Sequence, residues 1–181
     1  MYKTNTDSKK AKKQISLIEV VDSSDLPLTS MEIKEVHRQS LPHRSVIVLV
    51  YDADEKLYLQ KRSASKRLYA GRWDVSAAGH VYAGEARFDA ALRELKNELG
   101  ITTGGLRKLK TINASAETGY EFISIYILEK TTAAPVPNPD EVESGYFYSK
   151  DELEWLIGEY RELLTPALVF LHDQGLLYSF R

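Results

Sequence analysis

The stretch from Gly79 to Ile101 constrains the fold of this chain more than any other part of the sequence. It reads GHVYAGEARFDAALRELKNELGI. If a regular helix begins at Phe88, five apolar residues fall on one stripe at the spacing that buries a helix face: Phe88, Ala91, Leu92, Leu95 and Leu99. Gly100 is typical of the left-handed residue that ends a helix, and Ile101 returns the chain to the core. The sequence therefore predicts an amphipathic helix packed in the core.

Two acidic residues on this helix, Glu94 and Glu98, indicate a cation site. They are four residues apart, so their side chains leave the helix on one side, about one turn from each other. Like charges held that close repel each other, and a cation of the size of Mg2+ relieves the repulsion. The spacing therefore predicts that the two carboxylates share a metal ion.

The same stretch closely resembles the Nudix hydrolase motif G-x5-E-x7-R-E-U-x-E-E-x-G-U, where U is a bulky aliphatic residue. The motif departs at one position, because Asn97 stands where the motif has the first member of its Glu-Glu pair. The segments before and after it resemble the branch of the family related to isopentenyl-diphosphate isomerase, from about Ser16 onward. The positions that match in register are Gly79, Glu85, Arg93, Glu94, Leu95, Glu98, Gly100 and Ile101.

The resemblance implies an α/β/α sandwich with a mixed β-sheet, and hydrolysis of a diphosphate linkage in a nucleoside diphosphate joined to a moiety X. Such hydrolysis needs neutralised phosphates, a polarised phosphorus and an activated water, and carboxylate-held divalent cations provide all three. Mg2+ is the expected cofactor, with Mn2+ as its substitute. The expected oxygen ligands are Glu94, Glu98, Asn97 and Glu141.

The resemblance also assigns supporting roles. Glu94 orients or deprotonates the attacking water, and Arg93 holds the carboxylates through its forked donors. Glu85 is expected to support the loop before the helix by hydrogen bonding, and Gly79 permits close backbone approach beside the metal. The expected phosphate-binding residues are Arg62 and Lys66, and further acids come from Glu121 and Glu143.

Three histidines, His37, His43 and His80, are interpreted as structural hydrogen-bonding groups. Histidines near these positions build a metal site in the isomerase branch, but the catalytic cysteine of that branch would fall at Ala78, and the chain has no cysteine. Without a thiol the allylic proton chemistry lacks a proton donor and acceptor, so the sequence argues against isomerase activity.

A catalytically weak, nucleotide-binding derivative of a Nudix hydrolase is the alternative function. Asn97 favours it, because an amide oxygen brings no negative charge and a further cation loses ~1 to 4 kcal/mol of attraction. The otherwise complete motif favours the hydrolase.

Composition sets the remaining expectations. With 181 residues, 43% of them hydrophobic, the chain suits one domain over residues 16–181, after a flexible tail at residues 1–15. A net charge of −2 gives no reason to expect nucleic acid or an anionic membrane as partner. The absence of cysteine, membrane span and signal segment favours the cytoplasm, and the sequence leaves open whether the chain forms a homodimer.

Periodicity predicts the secondary structure around the helix. The stretch 29–39 fits either a strand or a helical turn. The predicted helices outside the motif cover residues 150–157 and 166–174, the latter with Thr165 as its cap. The predicted strands cover residues 17–21, 45–51, 57–60, 74–78, 108–113, 121–128 and 146–148.

Overall fold

The protein is described here as a computed structural model of residues 17–179, and the predicted flexible tail lies outside the described residues. The strands are β1 (Leu17–Val21), β2 (Pro27–Glu32), β3 (His43–Val50), β4 (Leu57–Arg62), β5 (Trp73–Asp74), β6 (Ala77–His80), β7 (Arg107–Ile112), β8 (Glu121–Leu128) and β9 (Val142–Tyr148). The helices are α1 (Ile33–Arg38), α2 (Arg87–Leu99), α3 (Lys150–Tyr160) and α4 (Pro166–Asp173), with a 3-10 turn at Arg161–Leu163.

A mixed six-stranded sheet forms the centre of the fold. Its strands lie in the order β2-β1-β3-β8-β7, and β6 pairs with the other end of β3. Strands β3 and β8 run parallel, from His43 opposite Glu121 to Val50 opposite Leu128. Strand β3 is an almost continuous aliphatic run and is buried along nearly its whole length, as expected for a strand covered on both faces. The other sheet has the order β5-β4-β9.

Two hydrophobic clusters cover the two faces of β3, because alternate side chains of a strand point to opposite faces. On one face, Ile47 and Leu49 pack in a cluster with side chains of α3 and α4. On the other face, Val46 and Val48 pack in a cluster with Leu95 and other residues of α2. This layered, mixed α/β arrangement confirms the fold class predicted from the sequence.

Some local predictions were wrong or incomplete. Phe88 does not join the buried stripe, because its ring lies at the margin of α2 against Tyr126 and is 38% exposed. The strand predicted over residues 74–78 is split into β5 and β6, which belong to different sheets. The ambiguous stretch 29–39 contains both alternatives, since β2 runs directly into α1. Among residues 17–179, no helix combines the length and the apolar character needed to cross a membrane.

Candidate active site

Helix α2 presents Glu94 and Glu98 toward β6. The helix ends at Gly100, which has a φ of 66° and donates its N–H to the carbonyl of Lys96. Glu98 is only 4% exposed, and its Oε2 accepts hydrogen bonds from Gln60 Nε2 at 2.7 Å and from the Ala78 backbone N–H at 3.3 Å. The two carboxylates are thus held against the end of the central sheet.

Glu94 lies so close to Gly79 that a Cβ atom at this position would overlap its carboxylate. A side chain at this position would therefore displace the Glu94 carboxylate, whereas glycine lets β6 approach α2 closely. The backbone of β6 forms one wall of the carboxylate pair.

Both carboxylates prefer a neutral form or a nearby cation. Burial raises the pKa of Glu98 to about 7, and the charge of Glu94 adds to the effect. Burial also raises the pKa of Glu94, although the Arg93 guanidinium opposes the shift. A divalent cation between the carboxylates would relieve their desolvation and mutual repulsion, so the donor set fits Mg2+.

Arg93 holds the site together from the side of the loop before α2. Its Nε and Nη2 donate to the two oxygens of Glu85 at 2.7 and 2.8 Å, and its Nη1 donates to Glu94. Nη2 also donates to the His80 carbonyl at 2.8 Å, and the guanidinium lies 3.9 Å from the ring centre of Tyr82. Arg93 therefore fixes both Glu94 and the end of β6.

The basic residues expected to bind phosphate are engaged with acids in this structure. Arg62 donates from Nη1 to Asp74 Oδ2 at 2.9 Å and from Nε to the Leu68 carbonyl at 3.2 Å. Lys66 forms an ion pair with Glu141. Burial lowers the pKa of Lys66, and the charges of Glu98 and Glu94 oppose that shift, so its ammonium group lies within the field of the carboxylate pair.

Two further acids of the sequence prediction, and Asn97, take different positions. Glu143 pairs with Lys61 at 2.7 Å on the exposed side of β4. Asn97 is exposed on α2, one turn from Glu94. Glu121 lies beside the histidines at the start of β8, where it takes part in a separate cluster.

A cluster of three histidines and one glutamate lies beside the carboxylate pair. One ligand atom from each of four residues lies within 4.8 Å of all the others: His37, His43, His80 and Glu121. The Nε2 atoms of His37 and His80 are 3.0 Å apart. The Nε2 atoms of His43 and His80 each lie 3.7 Å from Glu121 Oε1. We call these four residues the histidine cluster.

The donor chemistry of the histidine cluster fits a divalent cation. His43 is 1% exposed, and its Nδ1 lies 2.8 Å from the Leu41 carbonyl, which requires Nδ1 to carry the proton. Its Nε2 is buried and finds no hydrogen-bond partner among residues 17–179. A backbone carbonyl at one ring nitrogen and an unpartnered second nitrogen is the usual arrangement of a metal-binding histidine.

This geometry brings together the three histidines that were interpreted from the sequence as structural hydrogen-bonding groups, and adds Glu121 to them. Burial alone would raise the pKa of Glu121, but its contacts with His43 and His80 hold it well below the ordinary value, so the carboxylate is ionised. Three imidazoles and one carboxylate suit Mn2+, Fe2+, Co2+ or Zn2+ better than Mg2+, which prefers oxygen ligands.

Sequence reasoning missed the residues that hold the candidate ligands. Gln60 is buried and binds Glu98, whereas Asp74 is buried and connects Arg62 to Thr165. Ser45 lies on β3 among the members of the histidine cluster. In each case a polar residue in or next to an apolar strand was the signal that the sequence offered. The signal was not enough to assign a role, because the partner of each residue is far away in the chain.

A mixed α/β fold that carries this motif on one helix, with Glu94 against Gly79 and Glu98 buried beside it, defines a hydrolase of the Nudix class. The chain belongs to the Nudix family, since the NUDIX domain matches residues 41–167. The family resemblance inferred from the sequence is thereby confirmed.

Relatives of two kinds are similar to this chain. The uncharacterized Nudix hydrolase PA4841 of Pseudomonas aeruginosa is 39% identical over 99 residues, which are 55% of this chain and 59% of that protein. The chain thus covers less than two thirds of that relative. An isopentenyl-diphosphate Delta-isomerase of Cereibacter sphaeroides is 31% identical over 153 residues, which are 81% of this chain and 86% of that protein.

Solved structures confirm the fold. The crystal structure of DR0079 from Deinococcus radiodurans has a TM-score of 0.68 at 24% identity, covering 80% of this chain and 90% of that one. A MutT Nudix hydrolase from Burkholderia pseudomallei has a TM-score of 0.51 at 24% identity, covering 61% of this chain and 85% of that one.

Proposed function

We propose that this protein hydrolyses a diphosphate linkage in a nucleoside diphosphate joined to a moiety X, with Mg2+ or Mn2+ as cofactor. The observation that carries the proposal is the carboxylate pair of Glu94 and Glu98: burial raises both pKa values, and Glu94 lies directly against Gly79. When bound there, the cation would neutralise and polarise the phosphates. Asn97 and Glu141 are the further oxygen donors, although Glu141 must first leave Lys66.

The protein side chains divide the remaining work. Glu94 keeps 14% of its side chain exposed, so it is the carboxylate able to orient or deprotonate an attacking water. Arg93 holds Glu94 in place and is a positioning residue in the absence of a direct substrate contact. Arg62 uses Nη1 and Nε for protein contacts and keeps Nη2 for a phosphate oxygen, while the Lys66 ammonium can exchange Glu141 for phosphate.

We further propose that the histidine cluster binds a second divalent cation, of the transition-metal type. The carboxylate pair and the histidine cluster are adjacent, because Gly79 lies against Glu94 while the next residue, His80, belongs to the cluster. Two adjacent cation sites suit a substrate with two neighbouring phosphoryl groups.

The test is phosphate release from a panel of nucleoside diphosphate derivatives with Mg2+ or Mn2+. Release is expected for at least one member, and Glu94→Gln and Glu98→Gln should reduce it about 100-fold or more, as expected when a catalytic ligand is lost. Glu159→Gln, an exposed acid on α3, is the matched control and should leave the rate unchanged.

Nucleotide binding without release would support the alternative, a catalytically weak binding module, which Asn97 favours. Isomerisation of isopentenyl diphosphate is not expected, although several relatives carry that name, because Ala78 provides no thiol. Measured isomerisation by the purified protein would overturn this assignment.

The remaining partner assignments follow from the charge and the ligand chemistry. We propose that residues 16–181 act as one domain on a free small molecule in the cytoplasm, without nucleic acid or membrane as partner. The net charge of −2 gives no general attraction to nucleic acid or to an anionic membrane. Native mass measurement decides between a monomer and a homodimer.

A further inference from the structure

Ser45 occupies the middle of the sheet surface that carries the histidine cluster. On β3 it lies directly opposite His80 of β6 and directly opposite Ile123 of β8. His43 is two residues earlier on the same strand, so both side chains point to the same face. Glu121, opposite His43, is therefore a diagonal neighbour of Ser45.

The Ser45 hydroxyl is buried without a partner of good geometry. Ser45 is 4% exposed, and its Oγ finds no hydrogen-bond partner among residues 17–179. An unsatisfied buried hydroxyl costs about 1 to 3 kcal/mol. His43 Nε2 is the other buried side-chain atom in this condition within the described range, and it belongs to the histidine cluster. The two orphaned side-chain atoms of the described chain therefore belong to residues two apart on one face of β3.

The carboxylate of Glu121 belongs to the same face of the sheet as this hydroxyl. Glu121 lies on the neighbouring strand, opposite His43 and diagonal to Ser45, a spacing that the long glutamate side chain can span. Oε1 of Glu121 lies 3.7 Å from the Nε2 atoms of both His43 and His80. The second oxygen needs a donor if the carboxylate is to keep that orientation.

We propose that Ser45 is a positioning residue of the histidine cluster, whose hydroxyl donates a hydrogen bond to the Glu121 carboxylate when a divalent cation is bound and thereby aims the carboxylate at the cation. This inference rests on the proposed function of the histidine cluster as a cation site. The three imidazole rings of the cluster have centres 4.9 to 5.3 Å apart, and a small side chain such as serine takes up little of the space near them.

A positioning role and a structural role predict opposite effects of Ser45→Ala on the protein without cation. A serine that stabilises the fold loses a hydrogen bond on substitution, so the melting temperature falls. A serine that is unsatisfied until the cation binds loses only a desolvation penalty, so the melting temperature of the cation-free protein stays equal or rises. The affinity for the cation then falls.

The experiment is a titration of the cation-free protein with Co2+ in excess Mg2+, followed by the visible absorption of imidazole-bound Co2+. Ser45→Ala should weaken Co2+ binding about tenfold, with unchanged stoichiometry and band shape, because the ligands remain. Ser45→Thr keeps the hydroxyl and should restore most of the affinity. Ser124→Ala removes a buried hydroxyl from the opposite face, where Ser124 contacts Arg87 and Thr111, and should lower the melting temperature without changing Co2+ binding.

Three results would overturn the inference: an unchanged Co2+ affinity in Ser45→Ala, a lower melting temperature of the cation-free variant, or an altered band shape, which would make Ser45 a direct ligand.

His37→Ala tests the cluster itself, because His37 is exposed and its loss should not disturb folding. If wild type and His37→Ala bind Co2+ equally, the histidine cluster is not the site and the Ser45 role fails with it. Magnesium-dependent phosphate release, measured separately, decides the hydrolase assignment.

Discussion

At the scale of single residues, Glu98 combines a functional position with a cost in stability. Its folded-state pKa of about 7 lies above the ordinary value of 4.5, so the folded protein binds this proton more tightly than the unfolded chain. The associated stability is complete below pH 4.5 and is lost as the pH rises through about 7. Above that pH the buried carboxylate is charged and destabilises the metal-free fold.

Glu98→Gln should therefore stabilise the metal-free protein at pH 8, by on the order of 1 to 3 kcal/mol, while abolishing most of the activity. The amide oxygen can still accept the hydrogen bonds of Gln60 and Ala78. Thermal unfolding in a chelator at pH 8 and at pH 5 measures the effect, which should shrink at the lower pH. Equal stabilisation at both values would show that the charge of Glu98 is not its cause.

Asn97 is the residue where this chain departs from the family motif. Asn97→Glu adds a negative charge one turn from Glu94, so it should lower the Mg2+ concentration needed for half-maximal activity, by roughly threefold or more. Asn97→Gln lengthens the side chain without adding charge and is the matched control. A metal-activation curve that is the same in wild type and in Asn97→Glu contradicts the expectation.

At the scale of elements, the approach of β6 to α2 determines the geometry of the carboxylate pair. Gly79→Ala should place a methyl group where the Glu94 carboxylate lies and so displace it from Arg93 and from the cation. Displacement of a catalytic group by about 1 Å costs roughly 100-fold in rate. Steady-state kinetics with saturating Mg2+ measure this loss.

Gly104→Ala is the control for that substitution, because a Cβ atom at Gly104 has open space and meets no other atom within 4 Å. It should leave activity and stability unchanged. Full activity in Gly79→Ala would show that the Glu94 carboxylate can be displaced without loss of rate. Glu94 would then not be a catalytic residue.

Secondary structure was predictable for elements whose burial follows one regular pattern along their whole length. Strand β3 is covered on both faces, and α2 has one apolar stripe, so their patterns are unambiguous. Strand β2 lies at the edge of the sheet with nearly every residue exposed, so its sequence carries no alternation. The split between β5 and β6 was not predictable, because the pattern of residues 74–78 does not show that the chain changes sheets.

At the scale of the whole molecule, one buried chain of hydrogen bonds links α4 to the predicted phosphate site. Thr165 caps α4 by accepting from the Leu168 N–H and donates to Asp74 Oδ1 at 2.6 Å. Asp74 in turn receives Arg62 Nη1 at 2.9 Å. The start of a C-terminal helix thus orients an arginine of β4.

Thr165→Ala should lower the free energy of unfolding by about 1 to 2 kcal/mol through loss of the cap. It should also raise KM for the diphosphate substrate roughly fivefold, the effect of about 1 kcal/mol of lost orientation at Arg62. Ser149→Ala removes the cap of α3, a half-buried serine in a capping box with Glu152, and should cost similar stability with no change in KM. Equal KM values in the two variants would show that the cap of α4 does not orient Arg62 for substrate binding.

The sequence by itself determined the helix with its carboxylate pair, the glycine that faces it and the family, because these features lie within one short stretch whose periodicity and spacing are read directly. Only the tertiary structure decided the histidine cluster and the position of Ser45 beside it. Its members come from α1, β3, β6 and β8, and strand pairing, not spacing along the chain, brings them within reach of one ion. Pairing of distant strands depends on the whole core, which a local pattern does not contain.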